Sequence, residues 1–311
     1  MKITFRIISL LSIIIILLII GSELALRKIP NDYTYKSDYL KENGSEIQTL
    51  ILGSSHTFTG VNPKKFSSNT FNAAHSSQTL NLDYKILESN KQHLTNLKTI
   101  IIPISYFSFT SQLDDFNEDK IKYYNIYWDI DTGFNDLNKN YELFSEPIAV
   151  NYNKIKNYFL TKRNQITVDT NGYVKIRYEP EWNDITNSVK AFKRHRFNMG
   201  NPKTQNTINK HYQYLESIIK YGKKNNIQIV LLSTPTTELY KNYVIKTHQY
   251  FNLKNNVKKL SKYDNVIVID YFLNNKDFTL KDFKDSDHLS AIGADKLSIK
   301  VDSIINKNPL N

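Results

Sequence analysis

Leu50-Ile51-Leu52-Gly53-Ser54-Ser55-His56-Thr57 runs from an apolar stretch straight into a small-residue turn rich in hydroxyls. The apolar part opens at Ile47, and a short apolar run closed by a glycine suits a parallel strand covered on both faces. Ser55 then stands at the carboxyl end of a strand, where a side chain can point into the crevice above the sheet. A helix start or turn just behind it would offer backbone N–H groups to a developing oxyanion. The plainer alternative is ordinary turn chemistry, because Gly and Ser are common turn residues.

Working outward, four further runs have the same character: Thr70 to Ala74, Lys98 to Ile104, Ile227 to Ser233 and Asn265 to Ile269, the last closed by Asp270. Helical spacing separates them. Leu80 to Leu94 repeats through Leu82, Ile86 and Leu87, and Thr204 to Asn225 through Ile208, Tyr212, Leu215, Ile218, Ile219 and Tyr221. Alternating strand and helix predicts an α/β fold: a mostly parallel, doubly wound sheet in three layers. Residues 106–200, rich in Tyr, Asn, Asp and Phe, do not fit the repeat and read as an insertion or lid. The predicted organisation is an anchor over 1–28, a polar stalk over 29–46 containing Pro30, Asn43 and Gly44, and one domain over 47–311.

The N-terminus reads Met1-Lys2, then Arg6, then an apolar stretch from Ile7 to Gly21. From Ile7 to Leu26 only Glu23 is charged, and about 20 helical residues at roughly 1.5 Å each would cross a hydrocarbon core of about 30 Å. A cleaved signal peptide is the rival, but no A-x-A-like pair closes the run; Gly21, Ser22 and Ala25 are the nearest small residues, followed by Arg27-Lys28. The expectation is an uncleaved, single-pass anchor with the folded domain outside the cytoplasm. Positive residues on both flanks leave charge bias a poor guide to orientation. The net charge of +11 comes with Lys and Asn spread along the chain and with no stacking or zinc module, so no nucleic-acid partner is expected. With no cysteine, disulfides, thiolate metal sites and a Cys nucleophile are excluded.

Near the other end stands Asp285-Ser286-Asp287-His288-Leu289-Ser290, followed by a helical run through Leu297, Val301 and Ile304. A serine nucleophile needs a base for its proton and an acid that holds the base's tautomer, and Asp285, three residues before His288, can orient that imidazole. Asp287 or Ser290 would cap the last helix. Gly53-Ser54-Ser55 after the first strand and Asp285-x-x-His288 before the final helix resemble the first and last blocks of the SGNH, or GDSL-like, hydrolase superfamily, in matching order. The likeness is closest to envelope members with Gly-Ser-Ser for Gly-Asp-Ser, such as the membrane-anchored protein of teichoic-acid D-alanylation. It spans about Ile47 to Ile305, with its specific motifs at the two ends.

That resemblance implies a flavodoxin-like sheet, Ser55 as nucleophile, His288 as base and Asp285 as orienting acid, with no cofactor. Ser77, within Asn72-Ala73-Ala74-His75-Ser76-Ser77-Gln78, takes the place of the second block's oxyanion glycine. The third block's Gly-x-Asn is missing; the chain reads Ile102-Pro103-Ile104-Ser105-Tyr106-Phe107, where Ser105 or Tyr106 could substitute. Losing one oxyanion donor costs about 10²–10³ in rate. The implied substrate is a small acyl ester on an acylated envelope polysaccharide, cleaved by water or passed to a sugar hydroxyl. A non-catalytic envelope assembly or glycan-binding protein keeping the fold is the alternative.

Other residues have two readings each. His56 and His75 neighbour the first and second blocks, but adjacent side chains on a turning backbone usually diverge. Lys190, Lys193, Arg194, His195, Arg196, Lys203 and Lys210 form a basic stretch without an intervening acid, suited to a phosphate-bearing polymer or to plain solvation. Tyr123, Tyr124, Tyr127, Trp128, Tyr173, Tyr178 and Trp182 could stack on sugar rings, or simply pack. The acids and histidines lack H-E-x-x-H spacing, so no metal is expected.

Overall fold

The computed structural model describes residues 2–115, 118–176 and 182–310. The apolar runs become strands: β1 (Thr49–Ile51), β2 (Thr70–Asn72), β3 (Thr99–Pro103), β4 (Gln228–Ser233) and β5 (Val266–Asp270). Among the described residues they form one sheet in the order β2-β1-β3-β4-β5, every neighbouring pair parallel. In register, Leu50 lies between Phe71 and Ile100, and Ile101 pairs with Val230. Leu50, Ile51, Leu52, Ile100, Ile101 and Ile102 are fully buried, as side chains must be when helices cover both faces. Burying each contributes about 1.5–3 kcal/mol. At the β5 edge Val268 is 40% exposed.

The chain steps from β1 outward to β2, then returns to β3 on the other side of β1. The strand order reverses there, and in open α/β sheets ligands bind outside the carboxyl ends of the strands at such a reversal, here β1 and β3. Ser55 follows β1 and Ser105 follows β3.

The chain forms two compact units. The larger, Tyr39–Phe116 with Val168–Asn311, holds the sheet. Its helices are α3 (Ser55–Phe58), α4 (Leu80–Asn90), α9 (Asp184–Arg194), α10 (Pro202–Lys224), α11 (Glu238–Val244), α12 (His248–Leu260) and α13 (Ala291–Lys307). Side-chain caps set several starts: Asn201 receives the Lys203 N–H ahead of Pro202, and Ser290 receives the Gly293 N–H. Ile208, Leu215, Ile218 and Ile219 form the buried face of α10, while Leu297 and Val301 carry α13 into the core.

The smaller unit, Met1–Asp38 with Asn117–Thr167, contains α1 (Lys2–Arg27), the start of α2 (Asp32–Asn43), α5 (Ile121–Tyr127), α6 (Leu137–Asn140), α7 (Glu142–Ser145) and α8 (Ile148–Thr161). The segment read as a stalk therefore carries a helix, and the middle of the presumed insertion clusters with the N-terminal segment. Polar contacts explain this grouping better than apolar periodicity. Thr167 donates its N–H and hydroxyl to the Asp32 carboxylate, both at 2.6 Å. Buried Lys122 bonds Glu142 and Ser145 at 3.0 and 2.7 Å, and Tyr33 stacks on Tyr123 at 4.6 Å. Over Thr4–Arg27 the first helix is long and apolar enough to cross a membrane.

Candidate active site

The turn after β1 is shaped by backbone. Gly53 has φ 106°, a left-handed conformation costly for any other residue, and a Cβ there would run into the Pro103 ring of β3. The chain then turns at once into α3. Ser54 is its N-cap residue and its carbonyl accepts the N–H groups of Thr57 and Phe58 at 3.1 and 3.0 Å. The Thr57 hydroxyl donates to the Leu52 carbonyl at 2.7 Å, and buried Asn72 donates to the carbonyls of Thr57 and Val61. Ser55 is thereby held as the first residue of α3.

The loop before α13 is shaped by side chains. Asp285 Oδ1 accepts the backbone N–H of Asp287 at 3.1 Å and of His288 at 2.8 Å, folding the loop around its own carboxylate. Ser286 ties the loop to α9 by donating to Asp184 at 2.8 Å, and its carbonyl accepts the Thr237 N–H. The hydrogen-bond contact that matters for chemistry between loop and turn is between Ser55 Oγ and His288 Nε2, 2.8 Å apart. His288 Nδ1 lies 2.9 Å from Asp285 Oδ1 on its far side. The three residues the sequence singled out thus stand in the order Ser55, His288, Asp285.

Sequence reading missed a second carboxylate. Asp287, named with Ser290 as one of two possible helix caps, is buried with its Oδ1 3.4 Å from His288 Nδ1, and Ser290 does the capping. Its other oxygen faces His56 Nε2 and His195 Nε2, each at 3.8 Å. Burial alone would lower the His288 pKa, but Asp287 first and Asp285 next push it up to about 10. The Asp287 carboxyl is held well below the usual range, because His288 and His56 outweigh the burial that would raise it. Burial pushes His56 down and His195 down to about 3, so both are neutral imidazoles at physiological pH. His56, Asp287 and His288 offer ligand atoms within 4.8 Å of one another, a grouping that sequence spacing did not signal. A cation there would compete with the contacts His288 already makes to Ser55 and Asp285.

The expected oxyanion donors divide. Ser77 adopts φ 67°, the left-handed shape a glycine would take without cost. Ser105 stands at the end of β3 with its hydroxyl 3.2 Å from His56 Nδ1, and Tyr106 turns its hydroxyl toward Tyr240 at 3.5 Å. His75 lies against Phe58. His56 stacks on His288 with ring centroids 5.0 Å apart, so it does reach the site, although not Ser55.

Asp83 in the first turn of α4 is a further buried acid that no local sequence pattern marks. It is buried, accepts from Gln78 at 2.7 Å and from the Gly53 N–H, and burial raises its pKa to about 7 against those two donors. It links the nucleophile turn to the loop carrying Ser77. Of the basic stretch, Lys190, Lys193, Arg194, Arg196, Lys203 and Lys210 are solvent-exposed, whereas His195 stacks on Phe107 at 4.0 Å beside Asp287. Tyr124, Trp128 and Tyr173 are buried; Tyr178 falls outside the described residues. A cavity of about 340 Å³ adjoins the site, lined by His56, Ser105, Phe107, Tyr240, Leu253 and Phe272 among others.

No family model and no curated protein matches this chain. Among solved structures it is similar to a lipase/acylhydrolase from Enterococcus faecalis, with 12% identity, 85% of this chain and 97% of that chain covered, and a TM-score of 0.39. It is also similar to a GDSL-like lipase from Bacteroides thetaiotaomicron, with 12% identity, coverages of 88% and 98%, and a TM-score of 0.40.

Proposed function

We propose that the chain is a serine-dependent ester hydrolase or acyltransferase that is held on a membrane by α1 and acts on small acyl esters of a cell-envelope glycan. The observation that carries the chemistry is the 2.8 Å approach of Ser55 Oγ to His288 Nε2, with Asp285 on the opposite ring nitrogen. Neutral His288 takes the Ser55 proton as Oγ attacks the ester carbonyl; Asp285 holds the ring and stabilises the imidazolium. His288 then returns the proton to the leaving alkoxide, and water or a sugar hydroxyl resolves the acyl-enzyme. Backbone N–H groups in the Ser55 turn and at Ser77 are the proposed oxyanion donors, and the cavity beside Ser105 receives the acyl group. The glycan follows from the envelope-type resemblance of the two end motifs.

The test is labelling of the full chain with a fluorophosphonate, alongside Ser55→Ala, followed by turnover of a chromogenic acetyl ester. Labelling confined to Ser55, with matching ester turnover, is expected. A folded wild-type chain that neither labels nor turns over would favour the non-catalytic, glycan-binding alternative, for which the engagement of Ser105 with His56 in place of the missing Asn is the supporting feature.

A further inference from the structure

Helix α8 is amphipathic in the wrong sense for a helix packed on a soluble core. Ile148, Tyr152, Ile155 and Phe159 recur at spacings of four, three and four residues, one stripe of a helix. Yet Ile148 is 81% exposed, Tyr152 63% and Phe159 43%. The side turned inward is polar: buried Asn151 donates to the carbonyls of Leu143 and Glu146, and Lys154 approaches Glu146 at 3.9 Å. Exposed Leu160 broadens the apolar surface, and exposed Lys156, Lys162 and Arg163 accompany it.

The same unit fixes this surface to the end of α1. The Glu23 carboxylate, in the last turns of that helix, accepts the N–H of Glu142 at 3.2 Å and of Leu143 at 2.9 Å, at the start of α7. Arg27 donates to the Asn140 carbonyl at 2.9 Å and lies over the Tyr141 ring at 5.8 Å. Tyr141 and Phe144 there are themselves exposed. Glu23 and Arg27 mark where an otherwise apolar helix meets water, so the short helices pinned to them sit at headgroup depth whenever α1 spans a bilayer. An apolar stripe with aromatic residues and flanking cations is the composition of a helix lying in a lipid interface.

We infer that α7 and α8 form a lipid-facing platform: Tyr141, Phe144, Ile148, Tyr152 and Phe159 seat in the interface of the bilayer that α1 crosses, and Lys156, Lys162 and Arg163 meet anionic headgroups. The inference rests on the anchor reading of α1 and adds a second, peripheral attachment to it.

The chain has no cysteine, so single cysteines can be labelled without background. Full-length Ile148→Cys, Phe159→Cys and, as an exposed control in the sheet-bearing unit, Lys224→Cys would each carry an environment-sensitive fluorophore and be reconstituted into phosphatidylglycerol-containing vesicles, with circular dichroism to verify folding. Expected are blue-shifted emission and quenching by headgroup-proximal spin-labelled lipid at 148 and 159, with neither at 224. If the chain floats with vesicles while 148 and 159 behave like 224, the platform is overturned and the anchor stands. If the chain does not float, the anchor reading fails and takes the platform with it. Blue-shifted but lipid-unquenchable labels, with crosslinking between copies through 148, would assign the stripe to a second copy and overturn the inference.

Discussion

The turn after β1 and the loop before α13 bring Ser55 and His288 within 2.8 Å of each other, yet they are built by opposite means. The turn is a backbone object: Gly53 at φ 106°, an immediate helix start, and carbonyls tied down by Thr57 and Asn72. The loop is an electrostatic object, in which two carboxylates converge on one imidazole and two neutral histidines face the buried member. Backbone geometry has few solutions and leaves a short motif. Side-chain electrostatics draws partners such as His56 and His195 from distant parts of the chain, and only its Asp285-x-x-His288 portion leaves a local motif.

The largest expected effect tests which carboxylate orients the base. Asp285→Asn preserves shape but admits the wrong imidazole tautomer, so ester turnover and fluorophosphonate labelling should both fall by about 10³–10⁴. A loss under tenfold would transfer the orienting role to Asp287. On the backbone side, Gly53→Ala combines a left-handed φ with a clash against Pro103, and should destabilise the fold by about 3–5 kcal/mol in denaturant unfolding. An unfolding midpoint near wild type would mean the turn is more tolerant than its geometry implies.

Asp287→Asn should separate the two carboxylates by pH. His288 must be neutral to accept the Ser55 proton, and with its pKa near 10 activity should climb across the alkaline range and be weak at pH 7. Removing Asp287, the main source of that rise, should move the inflection downward and increase turnover at pH 7 by about tenfold per unit moved. An unmoved inflection would show that the buried carboxylate does not set the base. Stability should run the other way in wild type. A histidine whose folded pKa is raised contributes stability fully below its unfolded value of 6.5, and loses it as pH rises through about 10. Thermal unfolding should therefore ease between pH 7 and 10, less so in Asp287→Asn.

The contrast also accounts for what could be read from the sequence. Each of the five strands lies within or beside an apolar run visible in the chain, because a sheet buried on both faces demands continuous apolar residues. Ser55, His288 and Asp285 stood out because they sit at a strand end and before a helix. Asp287 did not, since an acid just ahead of a helix is an ordinary cap; only folding shows that Ser290 fills that role. His195 looked like one member of a basic run, and its stacking on Phe107 depends on tertiary contact. Asp83 carries no local signal at all, since its partners Gly53 and Gln78 belong to other turns. The smaller unit was hidden for the same reason: Asp32 with Thr167, and Glu23 with Leu143, are pairings distant in sequence.

The smallest expected effect returns to the backbone side. Ser77 holds φ 67° where an L-residue is strained, so Ser77→Gly should relieve that strain and leave stability unchanged or raised by up to about 1 kcal/mol. If Ser77 serves the oxyanion through its main-chain N–H, glycine supplies the same donor in the same turn, and turnover should stay within about threefold of wild type. A fall of about 10² with folding intact would assign the donor to the hydroxyl instead. In that case the second block would have changed character, from the backbone construction of the Ser55 turn toward the side-chain construction of the His288 loop.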